Sequence, residues 1–355
     1  VRVAGNRDTG RPYSAEPNGG AVPDQDDPSG ELWAMADLAT PMAVRVAATL
    51  RIADHIASGC RTAPELAAAT GVDSAILGRL LRHLVTKGVV ILEDEGGYGL
   101  SAPGHRLRDD DPHQIRARLD LDGALGRADL AFVQLLHAVR TGEAAFPAQF
   151  GRSFWEDLTT DPQRLASFDA QMSSDVTAWA PAVLSAYDWG SLEHVVDVGG
   201  GTGALMIALL TEHLALRGTI VDLPPTARAA RVALAAAGLA GRADAVAGSF
   251  FDPLPAGAAG YLLTAILHDW DDEPARVILR RCGEAAGPDG RVFVIEKIGV
   301  DGANPDSEMD LRLLAYFGGR ERSLDELTQL TGEAGFHVAA VHHAHAISIL
   351  ELQHR

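Results

Sequence analysis

Ten residues, His194 to Gly203, constrain this chain more than any other stretch. They read His-Val-Val-Asp-Val-Gly-Gly-Gly-Thr-Gly. A β-branched apolar run, Val195, Val196 and Val198, stops at glycine, and an amphipathic run from Ala204 to Leu214 starts at once. Strand, glycine turn and helix in that order make a nucleotide-binding βαβ unit. Glycine suits the turn because it accepts positive φ and puts no Cβ in the path of a ligand that approaches the backbone. The helix start offers unpaired N–H groups to an anionic end of that ligand, such as a carboxylate.

Gly199, Gly201 and Ala204 also satisfy the dinucleotide fingerprint, so the turn alone keeps NAD in consideration. The next strand, Thr219-Ile220-Val221-Asp222, brings an acid to its C-terminal end, 25 residues after Asp197. An acid there holds two ribose hydroxyls, in NAD or in S-adenosylmethionine. The alternative for Asp222 is a helix cap before Pro224.

The chain has 355 residues, which suggests about two domains. No stretch approaches the ~20 apolar residues of a membrane span. Asp8, Glu16, Asp24, Asp26 and Asp27 interrupt any apolar run near the start, so no signal peptide is expected. Cys60 and Cys282 provide neither a disulfide framework nor a metal cluster, which fits a reducing cytoplasm. The net charge of −18 disfavours a nucleic-acid partner and suits a neutral or cationic small molecule.

Residues 1–30 have no apolar period and read as a mobile tail. Pro41 is placed in the first turn of a helix running to about Ser58, with Met42, Val46, Leu50 and Ile56 inward. Thr62 and Asp73 open two further helices, and Gly88 ends the second. Val89–Leu92 and Tyr98–Leu100 then flank an acidic tight turn. Helix, helix and hairpin make a winged helix. From Thr62 to Gly104 the cations are Arg79, Arg82 and Lys87, against Glu65, Asp73, Glu93, Asp94 and Glu95. A DNA reader needs the opposite balance, so the module reads as a dimer face.

Residues 111–190 are expected to be helical and hold Phe146, Phe150, Phe154, Trp155, Phe168 and Trp179. Most of these fill a core. A helical segment before a nucleotide domain also roofs its cleft, where aromatic walls suit a flat substrate. From Ser191 onward strands near 194–198, 218–222, 243–248, 261–267 and 291–296 alternate with helices, including Pro274–Glu284 and Ser323–Glu333. Two final strands, His337–His342 and Ile347–Leu352, must pair antiparallel. The whole is an α/β, doubly wound, mainly parallel sheet.

Ligands of such sheets bind at the carboxyl ends of strands. A strand from Tyr261 to Leu267 delivers His268 to the cleft mouth, and the strand Val292–Ile295 delivers Glu296 beside it. A histidine and a carboxylate so placed make a general base with an orienting acid. Asp271, Asp272 and Glu273 read as caps of the next helix, and no spacing resembles a metal site.

Five motifs occur in order: Val196–Gly203, Val221-Asp222-Leu223-Pro224, Ser249–Pro255, Leu267–Asp272 and Gly319-Arg320-Glu321-Arg322-Ser323. With Leu136–Phe154, Phe168 and Met172, they make residues 31–355 resemble the S-adenosylmethionine-dependent O-methyltransferases of the caffeate and hydroxyindole type. The bacterial enzymes that methylate aromatic polyketides are most similar in look. The resemblance implies a Rossmann-like seven-stranded methyltransferase domain with an antiparallel last strand. It also implies a helical winged-helix dimerisation domain. The expected boundaries are 31–110 for dimerisation, 111–190 for a linker along the cleft and 191–355 for the methyltransferase.

By the same resemblance, Gly199, Gly201 and Gly203 cradle the methionine part of S-adenosylmethionine, and Asp222 takes the ribose. Ser249 and Phe250 stand at the adenine, and Thr264 contacts the cofactor. His268 is the base, supported by Glu296 and Glu321. Trp155, Phe168, Met172 and Asp310 belong to the acceptor pocket. Relatives usually carry Gly-Asp at the adenine site, whereas this chain has Gly248-Ser249. The implied enzyme is a metal-free cytoplasmic homodimer of antibiotic-type secondary metabolism. It methylates a phenolic hydroxyl of an aromatic small molecule, yields S-adenosylhomocysteine, and has no nucleic-acid or membrane partner.

Two other classes stay open. One keeps the fold and cofactor but decarboxylates or hydroxylates. The other is a ligand-sensing DNA-binding regulator, against which the acidic winged helix counts.

Overall fold

The computed structural model describes residues 28–93, 96–298, 302–303, 306–344 and 347–355. Residues 1–27 of the expected tail, and Asp94 and Glu95 of the acidic wing tip, lie outside the described residues. Helix α1 (Pro28–Ala36) already includes residues 28–30, so the ordered chain starts before Glu31.

The single helix expected from Pro41 to Ser58 is two, α2 (Ala39–Thr49) and α3 (Ile52–Ala57). Arg51 between them takes a left-handed φ of 52°, which breaks the helical ladder. The break turns the inward face of α2 onto Ala43, Ala47 and Ala48, while Met42 and Val46 are only half-buried. Helix α4 (Ala63–Thr70) carries the Thr62/Glu65 capping box, and Asp73 caps α5 (Ser74–Thr86). Strands β1 (Val90–Leu92) and β2 (Tyr98–Leu100) pair antiparallel to complete the wing.

Short helices α6 (Ala102–His105), α7 (Ile115–Leu119), α8 (Ala124–Asp129), α9 (Leu135–Thr141), α10 (Ala145–Phe150) and α11 (Phe154–Thr160) lead into α12 (Pro162–Ala186). Their core contains Ala128, Phe146, Phe154 and Leu158, and it takes in Ala315 and Tyr316 from the far end of the chain. Asp129 accepts from both Arg45 of α2 and Tyr316, so one carboxylate joins the first, middle and last parts of the fold.

The large sheet holds β3 (His194–Val198), β4 (Arg217–Asp222), β5 (Ala243–Ala247), β6 (Gly260–Thr264), β7 (Arg291–Glu296), β8 (Phe336–Ala344) and β9 (Ile347–His354). Between them run α13 (Ala204–Glu212), α14 (Pro224–Ala236), α15 (Asp272–Ala286), α16 (Ser307–Tyr316) and α17 (Leu324–Glu333). The strand order is β5-β4-β3-β6-β7-β9-β8. All pairs are parallel up to β7, and β9 runs antiparallel to both β7 and β8, so β8 points the same way as the other strands.

Both faces of the sheet are covered, so its strands are apolar on alternate sides. Val195, Ile220, Leu262 and Phe293 pack toward α12, α13 and α14. Their neighbours Val196, Val221, Leu263 and Val294 pack toward α15 and α17. The chain starts in the middle at β3, moves outward through β4 and β5, then returns to β6. The crevice at the carboxyl ends of β3 and β6 is therefore the switch point where such sheets bind ligands.

Candidate active site

The β3 turn lies on one side of this crevice. Gly199, Gly201 and Gly203 have φ of 72°, 57° and 89°. A Cβ on Gly199 would come within 2.5 Å of Ile266, so both conformation and space demand glycine there. The Asp222 carboxylate reaches across from β4. Its Oδ2 accepts from Gly201 N–H at 2.9 Å, and its Oδ1 accepts from Leu223 N–H at 2.7 Å. Helix α14 is entered through Leu223 without a side-chain cap, so Asp222 is not the helix cap that Pro224 suggested.

Two acids that motif spacing does not single out stand beside it. Asp197 at the β3 end is buried, and burial with the Asp222 charge pushes it up to about 7. Asp169 on α12 lies 3.4 Å from Thr226 Oγ1 through each oxygen, and burial followed by Asp222 pushes it up to about 6. Burial raises Asp222 too, against the two N–H groups it accepts from. Among the described residues none of the three forms an ion pair. Desolvated carboxylates so grouped favour a cationic ligand.

Thr264 ends β6, with a buried Oγ1 that has no hydrogen-bond partner among the described residues. Ser249 Oγ accepts from Phe251 N–H at 3.2 Å and shapes its own turn. Phe250 packs 5.0 Å from Phe251 and 5.8 Å from Trp270 by ring centroids. The glycine turn, the acids and the unsatisfied hydroxyl of Thr264 fit a cationic nucleoside such as S-adenosylmethionine.

The strand expected to run to Leu267 stops at Thr264. Ala265 takes φ of 52° and turns the chain into a 3₁₀ turn, Leu267–Asp269. His268 therefore hangs beyond the sheet, and it is enclosed rather than at an open mouth, with 16% of its side chain exposed. Its Nδ1 faces Glu296 Oε2 at 3.6 Å and Glu321 Oε1 at 3.5 Å. Its Nε2 faces Asp269 Oδ1 at 3.5 Å. Glu296 Oε1 accepts from Leu267 N–H at 3.1 Å, which fixes β7 to the turn.

Burial alone pushes the imidazole down, but Glu296, Asp269 and Glu321 together outweigh it and lift His268 to about 10. Burial raises Asp269 to about 7 against the pull of His268, and it raises Glu296 likewise. Asp269 was legible only as part of its motif.

The expected acceptor residues divide. Trp155 lies parallel to Phe317 at 5.1 Å and to Trp270 at 6.2 Å, with Phe168 edge-on at 5.8 Å. Met172, one helical turn after Phe168, is half-buried. These make an aromatic wall on the His268 side, to which Trp270 and Phe317 add rings that periodicity does not reveal. Asp310 holds the neighbouring motif: its Oδ1 accepts from Glu321 N–H at 2.8 Å. Of the three expected caps, Asp271 caps α15, while Asp272 pairs with Arg320 and Arg322, and Glu273 with Arg276 and Arg280.

An O-methyltransferase domain model matches residues 132–337, and an O-methyltransferase dimerisation domain model matches residues 33–107. The chain belongs to the S-adenosylmethionine-dependent O-methyltransferases. It is 54% identical to the 2,7-dihydroxy-5-methyl-1-naphthoate 7-O-methyltransferase of Streptomyces carzinostaticus, covering 90% of this chain and 96% of that one. It is 43% identical to the aclacinomycin 10-hydroxylase of Streptomyces purpurascens over 92% of this chain and 89% of that one. Among solved structures it is similar to an O-methyltransferase from neocarzinostatin biosynthesis in complex with S-adenosylmethionine and 2-hydroxy-5-methyl naphthoic acid. That match has a TM-score of 0.88 at 54% identity and covers 91% of this chain and 98% of the other. This O-methyltransferase thus has the fold implied by its motifs, the seven-stranded sheet with its antiparallel end and the helical dimerisation domain. No described helix is long and apolar enough to cross a membrane.

Proposed function

We propose that this O-methyltransferase methylates a phenolic hydroxyl of a flat aromatic small molecule, with His268 as general base, in the biosynthesis of an antibiotic-type natural product. The observation that carries the reading is the arrangement of Glu296 and Glu321 on one ring nitrogen of His268 and Asp269 on the other, beside the wall of Trp155 and Trp270. S-adenosylmethionine, when bound, supplies a methyl group on a cationic sulfur. Gly199, Gly201, Gly203 and Asp222 hold its methionine and ribose parts, Ser249 and Phe250 its adenine, and Thr264 Oγ1 gives it one further contact. Trp155, Phe168 and Met172 orient the acceptor ring.

A phenol has a pKa of ~10, which matches the raised value of His268, so proton transfer between them is nearly balanced. Before that transfer Nε2 must give up its own proton. Asp269 Oδ1, 3.5 Å away, is the weaker base of the two, about 7 against about 10, so it stays ionised as the counter-charge and the proton leaves to solvent. The neutral Nε2 then removes the phenolic proton as the oxygen attacks the methyl carbon. Glu296 and Glu321 stabilise the imidazolium through Nδ1. The division into residues 31–110, 111–190 and 191–355 belongs to this reading, as does a cytoplasmic homodimer. Leu32, Trp33 and Met35 of α1 and Leu38 after it are 68%, 59%, 82% and 67% exposed in one chain, an apolar run that a second copy would cover.

The hydroxylase relative supports a second reading, with the same cofactor site and no methyl transfer. Incubation with S-adenosylmethionine and a hydroxynaphthoic acid separates the two. A mass gain of one methylene, with S-adenosylhomocysteine formed in step, supports the proposal. A gain of oxygen, or no product across a panel of phenolic acceptors, sinks it.

A further inference from the structure

The segment from Gly319 to Arg322 does more than present Glu321. Arg320 N–H donates to the His268 carbonyl at 2.9 Å. A Cβ on Gly319 would stand 2.2 Å from that same oxygen, so the segment lies directly on the His268 turn. Arg322 is 3% exposed. Its Nη1 donates to Leu267 O at 2.8 Å and its Nη2 to Trp270 O at 2.8 Å. The two carbonyls bracket His268 and Asp269. Nη2 and Nε also donate to Asp272 Oδ1, at 2.8 and 3.2 Å.

Leu267 O also accepts from Trp270 N–H at 3.2 Å within the turn, so Arg322 takes its second lone pair, while Trp270 O lies past the turn's last hydrogen bond. A guanidinium presents several donors in one plane, enough to reach two carbonyls and a carboxylate together. An ammonium is a point charge and lacks that fork. Burial of this cation is compensated by the Asp272 carboxylate. The guanidinium also lines a small space with His268, Glu296, Glu321 and Leu327, and its charge draws Glu296 down against the effect of burial.

We propose that Arg322 is a positioning residue for methyl transfer: its guanidinium fixes the turn that carries His268 and Asp269, and Asp272 fixes the guanidinium. The role rests on the O-methyltransferase reading of His268. Two contributions separate by substitution. Arg322→Lys keeps the charge and loses the fork. Arg322→Gln loses both. Asp272→Asn keeps Arg322 and loosens its anchor.

The test measures fold by circular dichroism, S-adenosylmethionine affinity by calorimetry, and kcat and KM across pH. Arg322→Lys and Asp272→Asn should bind S-adenosylmethionine as wild type does and keep the acceptor KM. Their kcat should fall about 10–100-fold, the scale of a small misplacement of a reacting group. Arg322→Gln should add a second effect. The groups facing His268 are Glu296 on β7, Asp269 on its own turn and Glu321 beside Arg322. Loss of the Arg322 charge acts on His268 in two opposed ways: a neighbouring cation that disfavours the imidazolium is gone, and Glu296 holds its proton more tightly. The rise of rate with pH should therefore move in Arg322→Gln but not in Arg322→Lys.

If Arg322→Gln does not fold, the other two variants decide. Folded variants with wild-type kcat and an unmoved pH profile overturn the role while leaving the methyltransferase reading standing. A kcat loss that only tracks the unfolded fraction also overturns it. A wild-type enzyme that methylates no acceptor overturns both.

Discussion

Asp310 Oδ1 accepts a hydrogen bond from the Glu321 backbone N–H at 2.8 Å, which ties the first turn of α16 to the carboxylate beside His268. On this geometry Asp310 is expected to act on the base through Glu321. Asp310→Ala should lower kcat about 2–10-fold, the worth of one hydrogen bond, and leave the acceptor KM nearly unchanged. Steady-state kinetics checks this. A raised KM with normal kcat would return Asp310 to the acceptor pocket.

Asp222→Ala should weaken S-adenosylmethionine binding by about 1.5–3 kcal/mol, because a charge-assisted acceptor is lost. The Gly201 turn loses its anchor as well, so the effect should lie toward the upper end. Unchanged affinity by titration calorimetry would contradict both roles.

The grouping of Asp197, Asp169 and Asp222 makes cofactor binding depend on pH. A cation favours ionised carboxylates, so it draws Asp197 and Asp169 below their unliganded values of about 7 and about 6. Binding should release protons, and affinity should fall as pH falls through 7 and then 6. Calorimetry in buffers of different ionisation heat measures the release. S-adenosylhomocysteine, without the sulfonium charge, should show a smaller effect. Equal proton counts for the two ligands would exclude this coupling.

Much of this was legible in the sequence because local rules and tertiary packing agree. The glycine turn, the helix starts at Thr62, Asp73 and Ser323 and the terminal strand pair depend on a few neighbouring residues, and they form where expected. The exceptions have local causes that periodicity cannot carry. Arg51 and Ala265 adopt positive φ although neither is glycine. One splits a helix, and the other ends a strand early and lifts His268 off the sheet. The stack of Trp155 on Trp270 and Phe317 joins residues far apart in sequence, and so does the hold of Arg322 on Leu267 and Trp270. Motif order placed Glu296 and Glu321 near His268, but their share in setting its charge depends on burial, which appears only in three dimensions.

The most direct test of His268 as the base is the single-turnover rate of methyl transfer by His268→Gln and by wild type, followed from pH 7 to above pH 10. Glutamine keeps much of the enclosed side-chain volume but cannot take a proton. Wild type should speed up as pH rises toward about 10, where the imidazole becomes neutral. The variant should be slower by about 10²–10⁴-fold at neutral pH, the usual worth of a positioned base. The gap should narrow above the phenol pKa of ~10, where the acceptor ionises unaided. Transfer by His268→Gln at the wild-type rate at neutral pH, or a gap that stays constant across the range, would contradict the account.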